Sequence, residues 1–233
     1  GGHVPDEMPE SYNQGQGLRP TDTTAIPPDY SKYFLILKND GGKYTDITAS
    51  AQGELGKIGD YTLIAKTYNG KSEWYGGFSY VDLLYPGVTQ KFIEVTMPGY
   101  KQIAGDEFGK TVPGVFTDEP QLFSPGGIRW TPDLFDVFLR QWGYDLKLNL
   151  PSLWKEVGDW KRVRYNYTRT LLTLFIERWS IPYSEYLVKN GLEFTGHYWE
   201  HEWPGMRPGG DNMAMYAYHT LPAIDMLFNR EFN

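Results

Sequence analysis

Apolar positions along the second half of the chain follow two alternating patterns. Short apolar runs at residues 112–116 and 192–195 predict buried strands, because a parallel strand covered on both faces is apolar throughout. Helical spacing predicts a long helix over residues 159–189 and a short one over 212–219, and an apolar run at 223–227 predicts one more strand. Alternation of strand and helix is typical of a parallel sheet covered by helices.

Local signals set the expected ends of these helices. Residues 86–103 have helical spacing that Pro98 should distort or end. Thr131, followed by proline, is a good helix N-cap, and Gly143 is placed to end that helix. Pro182 should kink the long helix, which the Asn-Gly pair at 190–191 should end.

The first third of the chain has a different pattern. Residues 1–30 lack periodicity and predict mostly loop. Short β-type runs follow at 33–38, 44–49 and 61–68, and the Asn-Asp-Gly-Gly run between the first two predicts an antiparallel hairpin. We therefore predict a loop-rich segment over 1–30, a small antiparallel β insertion over 31–75, and βα units over 76–233.

These elements together predict the fold class α/β, with part of a (β/α)8 TIM-type barrel and a β insertion. A complete barrel needs eight parallel strands, whereas the sequence offers candidates for only about three to five. The chain begins with Gly-Gly-His-Val and ends without a helix cap or polar tail. From this we predict that it is an internal piece of a larger protein, with flanking domains as partners.

Composition narrows the possible ligands. The 233 residues carry a net charge of −7 and include no cysteine, so thiolate and disulfide chemistry are excluded. Nucleic-acid-binding proteins are usually basic, which argues against that class. No apolar run approaches the length of a membrane span. The aromatic share of 16% favours a saccharide partner, because flat rings pack well against sugar rings.

Two predicted strands are followed by acidic residues, Asp118-Glu119 in one case and Glu200 with Glu202 in the other. Active sites of βα barrels form where the strands end, and glycoside hydrolysis requires two carboxyl groups. We therefore select Glu119 and Glu200 as catalytic candidates, and Asp118 and Glu202 as substrate-binding candidates. Side chains alternate along a strand, so Thr117 and Glu119 should share a face. The alternative is that Asp-Glu-Pro is a solvated turn.

A histidine motif adds a second hypothesis. Residues His197 to His201 fit the H-x-x-E-H pattern of one zinc-peptidase class, but that pattern works on a helix and here it follows a strand. At a strand end, His197 would instead bind a sugar hydroxyl or a hard cation, or be satisfied by a neighbouring loop. Trp130 and Trp199 lie in predicted loops or strand ends, where they are candidates for packing against a sugar.

Several runs, in their order and spacing, resemble the catalytic region of bacterial enzymes related to the α-L-rhamnosidases of glycoside hydrolase family 106. They are Gly2-His3-Val4-Pro5-Asp6-Glu7-Met8-Pro9, Tyr80-Val81-Asp82-Leu83-Leu84, Val112-Pro113-Gly114-Val115-Phe116-Thr117-Asp118-Glu119-Pro120, Trp130-Thr131-Pro132-Asp133-Leu134, Gly143-Tyr144-Asp145-Leu146 and Phe194-Thr195-Gly196-His197. The resemblance covers nearly the whole chain apart from the β insertion. The most specific part is the Thr-Asp-Glu-Pro run followed by Trp-Thr-Pro-Asp-Leu.

The resemblance implies a (β/α)8-type catalytic domain, an inverting mechanism, a calcium ion near the sugar and a periplasmic or secreted location. It places the general acid at Glu119, with the base at Glu200, at Glu202, or beyond the end of this chain. Our first hypothesis is therefore a glycoside hydrolase acting on a terminal sugar such as an α-L-rhamnoside. A non-catalytic carbohydrate-binding barrel and a zinc metallopeptidase are the alternatives.

Overall fold

The computed structural model describes residues 15–122, 124–199 and 211–225. Contacts divide this part of the chain into two compact units. We call residues 15–70 with 124–170 the antiparallel unit, and residues 71–122 with 171–225 the parallel unit, after the sheet in each.

The antiparallel unit is built around a five-stranded sheet in the order β3-β2-β4-β1-β6. Its strands are β1 (Gln16–Thr23), β2 (Leu35–Asp40), β3 (Lys43–Asp46), β4 (Tyr61–Tyr68) and β6 (Ile128–Trp130). Neighbouring strands of this sheet pair in antiparallel directions. Buried aliphatic side chains such as Ile36, Leu63 and Ile64 form its core.

The predicted hairpin joins β2 to β3. Asp40 pairs with Lys43, which leaves Gly41 and Gly42 as a two-residue loop with φ of 59° and 94°. Residues without a side chain adopt such angles at little cost, and two consecutive positive φ values suit a tight hairpin turn. Asn39 accepts a hydrogen bond from the Gly42 N–H at 2.8 Å and closes the turn. The antiparallel hairpin is confirmed.

The expectation of loop over residues 1–30 is wrong at β1. This strand pairs with β4 along its whole length, from Gln16 opposite Tyr68 to Thr23 opposite Tyr61. Pro20 hides the strand in the sequence, since proline donates no ladder hydrogen bond. On the edge of β1 that faces away from β4, β6 pairs only with residues 16–18. Pro20 lies beyond this pairing, where that edge of β1 has no partner among the described strands. Residues 1–14 lie outside the described ranges.

Helices of the antiparallel unit follow β6. They are α2 (Leu134–Trp142), α3 (Leu146–Asn149) and α4 (Trp160–Phe175), of which α4 passes into the parallel unit at Leu171. Gly143 ends α2 with a φ of 75°, as predicted. The N-cap is Asp133 rather than the predicted Thr131, and its side chain makes no capping bond.

The parallel unit contains a three-stranded parallel sheet in the order β5-β7-β8. Its strands are β5 (Gly114–Asp118), β7 (Glu193–His197) and β8 (Leu221–Pro222), and its helices are α1 (Val88–Ala104), α5 (Ile181–Lys189) and α6 (Asn212–Tyr216). The two strands predicted from apolar runs are confirmed as strands, each shifted towards its carboxyl end. β7 is mostly buried, but the predicted burial on both faces is wrong for β5, in which Phe116 is 58% exposed. The strand predicted at 223–227 is wrong over its described residues, because β8 ends before it.

Prolines affect these helices less than expected. Pro98 was predicted to distort or end the helix, and α1 continues through it to Ala104, so it does not end the helix. The predicted disturbance at Pro182 takes the form of a π-helical turn, Ile176–Ser180, between α4 and α5. Such turns occur where the regular helical hydrogen-bond ladder is interrupted. Gly191, with a φ of 70°, follows the end of α5 as predicted.

The fold is therefore mixed α/β, with one antiparallel and one parallel sheet. Three parallel strands do not establish a partial (β/α)8 barrel, which stays a prediction, as do the boundaries of the segments 1–30, 31–75 and 76–233. Within the described ranges, no helix has the length and apolar character needed to cross a membrane.

An aromatic cluster in the parallel unit surrounds His219. The imidazole centroid is 4.1 Å from the ring of Phe194, 5.2 Å from that of Tyr198 and 5.4 Å from that of Tyr216. Burial lowers the pKa of His219 to about 4. A contact with the Gly196 backbone raises this pKa, but by less than burial lowers it. The folded protein therefore holds this imidazole neutral at moderately acid pH.

We expect acid to destabilise the protein through this residue. An unfolded chain protonates His219 near the ordinary histidine pKa of 6.5, whereas the folded protein does so only near 4. The free energy of unfolding should therefore fall by roughly 2 kcal/mol between pH 7 and pH 5. Urea denaturation at both pH values measures this. His219→Phe should remove that loss, and Tyr216→Phe, which changes the same cluster but keeps the imidazole, should retain it. Equal pH dependence in all three proteins would contradict the assignment.

Candidate active site

The carboxyl ends of β5 and β7 lie side by side. The two strands are parallel and in register from Gly114 opposite Glu193 to Asp118 opposite His197. Consequently, the residues that follow each strand emerge at the same edge of the sheet, where active sites of βα proteins form. The sequence placed Asp118, Glu119 and His197 at strand ends, and the structure brings these three together.

His197 lies between the two acidic residues. Its Nε2 atom is 3.4 Å from Oδ1 of Asp118, and its Nδ1 atom is 3.8 Å from Oε1 of Glu119. The histidine is buried, the Glu119 side chain is 18% exposed and that of Asp118 is 77% exposed. The imidazole of His197 thus lies between the sheltered carboxyl group of Glu119 and the solvent-exposed carboxyl group of Asp118.

Glu119 has an unusual backbone conformation. Its φ is 50°, in the left-handed region that costs a residue with a side chain roughly 1–2 kcal/mol. Its N–H donates a hydrogen bond of 3.1 Å to the carbonyl oxygen of His197, which extends the β5–β7 ladder by one residue. This bond stabilises the strained turn and fixes where the carboxyl group emerges. Strain of this kind is concentrated at functional sites in proteins.

Gly196 allows the two strands to approach closely. Its φ is 127°, and a Cβ atom there would lie 2.1 Å from the carbonyl oxygen and 2.6 Å from the amide nitrogen of Thr117. Any other residue would collide with the neighbouring backbone, not with a flexible side chain. Thr117 also donates from its hydroxyl to the carbonyl of Thr195 at 3.4 Å. The spacing between the carboxyl ends of β5 and β7 therefore depends on this glycine.

The structure adds Asp225, which sequence reasoning missed. One potential ligand atom from each of Glu119, His197 and Asp225 lies within 4.8 Å of the other two. Asp225 follows β8, whose neighbour in the sheet is β7, and the Ala223 N–H donates to the carbonyl of Gly196. The strand predicted from the sequence covers residues 223–227, which places Asp225 inside that strand. Had the strand been predicted to end at Pro222, Asp225 would have been recognised as a residue that follows a strand end.

These three donors do not fit the calcium ion that the family resemblance implies. Calcium takes about six to eight oxygen ligands, and this group offers two carboxylates and one imidazole. Imidazole nitrogen suits zinc, copper, iron or nickel better. A carboxyl group that binds a metal is also unable to hold the proton of a general acid. A calcium ion therefore has no assigned role at these three residues.

The other predicted site residues lie in different parts of the chain. Glu200 and Glu202 lie outside the described ranges, so their predicted roles stay predictions. Trp199 follows β7 and is half-buried, and its carbonyl accepts a hydrogen bond from Asn212 at 3.2 Å. Trp130 belongs to the antiparallel unit, where it is only 2% exposed and lies beside other aromatic rings. This burial favours a packing role for Trp130, and its predicted role in sugar binding stays a prediction.

Comparisons with known proteins find similarity among solved structures. No protein-family model matches the sequence, and no curated protein matches it. A solved structure of a rhamnosidase from Novosphingobium sp. PP1Y aligns with a TM-score of 0.56 and 22% sequence identity. The alignment covers 78% of this chain and 19% of the rhamnosidase chain. The chain therefore has a rhamnosidase-like fold, and at this identity the similarity is one of fold alone.

Proposed function

We propose that this chain carries part of the active site of a glycoside hydrolase, with Glu119 as the general acid. The observation that supports it most is the sheltered Glu119 carboxyl group at the ends of two parallel strands, beside His197. The rhamnosidase-like fold favours the same class of reaction. We further propose that these strands belong to a partial (β/α)8 barrel and that the substrate is a terminal sugar such as an α-L-rhamnoside.

A general acid must hold a proton before it can donate one to the leaving oxygen. Asp225 provides a means of retaining that proton, because two carboxylates within 4.8 Å repel each other when both are ionised. His197, positioned between Asp118 and Glu119, orients the acid. Hydrolysis then proceeds when Glu119 protonates the glycosidic oxygen as its bond to the sugar breaks. A water molecule forms the new bond to that sugar carbon and gives one proton to the base.

The second carboxyl group decides the stereochemistry of the reaction. Inverting enzymes leave about 6.5–9.5 Å between the two carboxyl groups, so that a water molecule fits between them. Asp225 lies too close to Glu119 for that role. We therefore assign Asp225 to controlling the protonation of Glu119. We propose Glu200 as the base, with Glu202 or a carboxylate beyond this chain as the alternatives that the family resemblance implies. Glu202 and Asp118 are proposed to bind the substrate.

A non-catalytic carbohydrate-binding protein is the competing function, because it would keep the same strand ends and aromatic residues. Incubation of the intact protein with a panel of p-nitrophenyl glycosides that includes the α-L-rhamnoside tests for turnover. Calorimetry with the free sugars measures binding on the same samples. Hydrolysis of these glycosides, together with a large loss of activity of Glu119→Gln on the methyl glycoside of the same sugar, supports the enzyme. Sugar binding without any hydrolysis would establish the binding protein instead. Measuring zinc content tests the metallopeptidase alternative, which requires one stoichiometric zinc ion.

A further inference from the structure

A cavity of about 750 Å³ lies inside the parallel unit, between helix α1 and strand β5. Residues near 80–83 and the segment around Trp179 and Tyr183 complete its walls. This volume falls in the range of about 300–1,000 Å³ that small-molecule sites in proteins occupy. A space with walls on several sides suits a compact molecule that can be surrounded.

The walls of the cavity are mainly aromatic and aliphatic. Phe92 of α1 lies 6.0 Å from the ring of Trp179 and 5.7 Å from that of Tyr183, and the latter two rings stack at 5.0 Å. Burial raises the pKa of Tyr183, so its hydroxyl stays protonated. Met97 and Val88 add buried aliphatic surface from the same helix. An apolar ring is the chemical group that such walls favour.

One end of the cavity reaches the candidate active site. Asp118 and Pro120 both contribute to its wall, and they are the neighbours of Glu119 on either side. Consecutive Cα atoms are about 3.8 Å apart, so the cavity passes within one residue of the proposed acid. The ring of Phe116 also lines the cavity, and its centroid is 5.6 Å from that of His197 in an edge-on contact.

We propose that this cavity binds the leaving group of the glycoside, and that this group is an apolar ring system and not a second sugar. This inference rests on the proposed function, because a leaving group exists only if the protein hydrolyses glycosides. A second sugar would bring several hydroxyl groups against apolar walls. Each buried hydroxyl without a partner costs about 1–3 kcal/mol, whereas an aromatic ring gains from the same burial.

The binding step is tested by isothermal calorimetry with 2-naphthol as the probe, on the intact protein and on Glu119→Gln. Thr96 of α1 lines the cavity, so Thr96→Trp should fill part of it and weaken binding at least tenfold. Ile103→Trp adds the same side chain on the same helix at a site that is 88% exposed and outside the cavity wall, and should leave binding unchanged. Thr96→Leu, a smaller filling variant, should weaken binding several-fold if the tryptophan variant does not fold.

The catalytic step is tested by comparing kcat/KM for a 2-naphthyl and a methyl glycoside of the same sugar. We expect the naphthyl glycoside to be preferred, mainly through KM, and Thr96→Trp to remove that preference but not the hydrolysis of the methyl glycoside. Hydrolysis of both glycosides without any 2-naphthol binding would overturn the inference and leave the proposed function standing. Binding of 2-naphthol without hydrolysis of any glycoside would overturn both.

Discussion

Replacing Glu119 with glutamine should lower hydrolysis of an unactivated alkyl glycoside by about 10²–10⁴-fold, the usual contribution of a general acid. The same variant should lose much less, on the order of tenfold or below, on a 2,4-dinitrophenyl glycoside. This aryl leaving group departs as a stable anion and needs little protonation. Glutamine has nearly the shape of glutamate but has no acidic proton to transfer. The difference between the losses on the two substrates therefore measures proton donation and not packing.

Glu193 provides a matched control for this experiment. It begins β7 at the end opposite to His197 and is exposed, so Glu193→Gln makes the same chemical change on the same sheet. This control should retain wild-type kcat/KM on both substrates. Equal losses of the Glu119→Gln variant on the alkyl and the aryl glycoside would show that Glu119 is not the proton donor. Loss with both variants would point to damage of the sheet.

Sequence reasoning succeeded where a local pattern was sufficient. The apolar runs before Asp118 and His197 located two neighbouring parallel strands, although only β7 is mostly buried. The hairpin over residues 39–42 was equally local, since consecutive glycines allow its turn. Placing acidic residues at strand ends was therefore enough to select Glu119 as a catalytic candidate, whereas its role as the acid came from the family resemblance. The contact with His197 followed from strand register.

The features that were missed depend on residues far apart in the chain. β1 forms because β4 pairs with all eight of its residues, although its own sequence contains a proline and few apolar positions. Asp225 approaches Glu119 only because β8 joins the sheet beside β7. No local signal marks the left-handed φ of Glu119, since glutamate has no preference for that region. The secondary-structure propensity of single residues and the periodicity of short runs do not show which distant strands pair with each other.

The long helix shows how tertiary contacts override a local signal. Proline at position 98 removes one backbone hydrogen bond and normally ends a helix. α1 nevertheless continues to Ala104, and Met97, next to that proline, is buried against the rest of the parallel unit. Thr89 near the start of α1 donates from its hydroxyl to the carbonyl of Arg178. After Pro98, the ammonium group of Lys101 donates a hydrogen bond of 2.9 Å to the side-chain oxygen of Asn190. Contacts on both sides of Pro98 therefore stabilise the helix, and an isolated peptide would lack them.

Replacing Gly196 with alanine should be strongly destabilising, by roughly 3 kcal/mol or more. The added methyl group would lie 2.1 Å from the carbonyl oxygen of Thr117, and the φ of 127° is one that alanine rarely adopts. Since the obstacle is backbone, β7 can accommodate the methyl group only by moving away from β5. That movement would lengthen the bond from the Glu119 N–H to the His197 carbonyl and displace the acid. Activity should therefore fall even under conditions in which the variant remains folded.

Gly99 supplies the control for that substitution. It is an exposed glycine inside α1, and a Cβ atom added there meets nothing within 4 Å. Gly99→Ala should therefore stabilise the protein by about 0.5–1 kcal/mol, because alanine favours the helix over the unfolded chain. Urea denaturation monitored by circular dichroism gives both values on one scale, and kcat/KM measured well below the transition separates displacement from unfolding. If Gly196→Ala were as stable and as active as Gly99→Ala, the close approach of β5 and β7 would not be what positions Glu119.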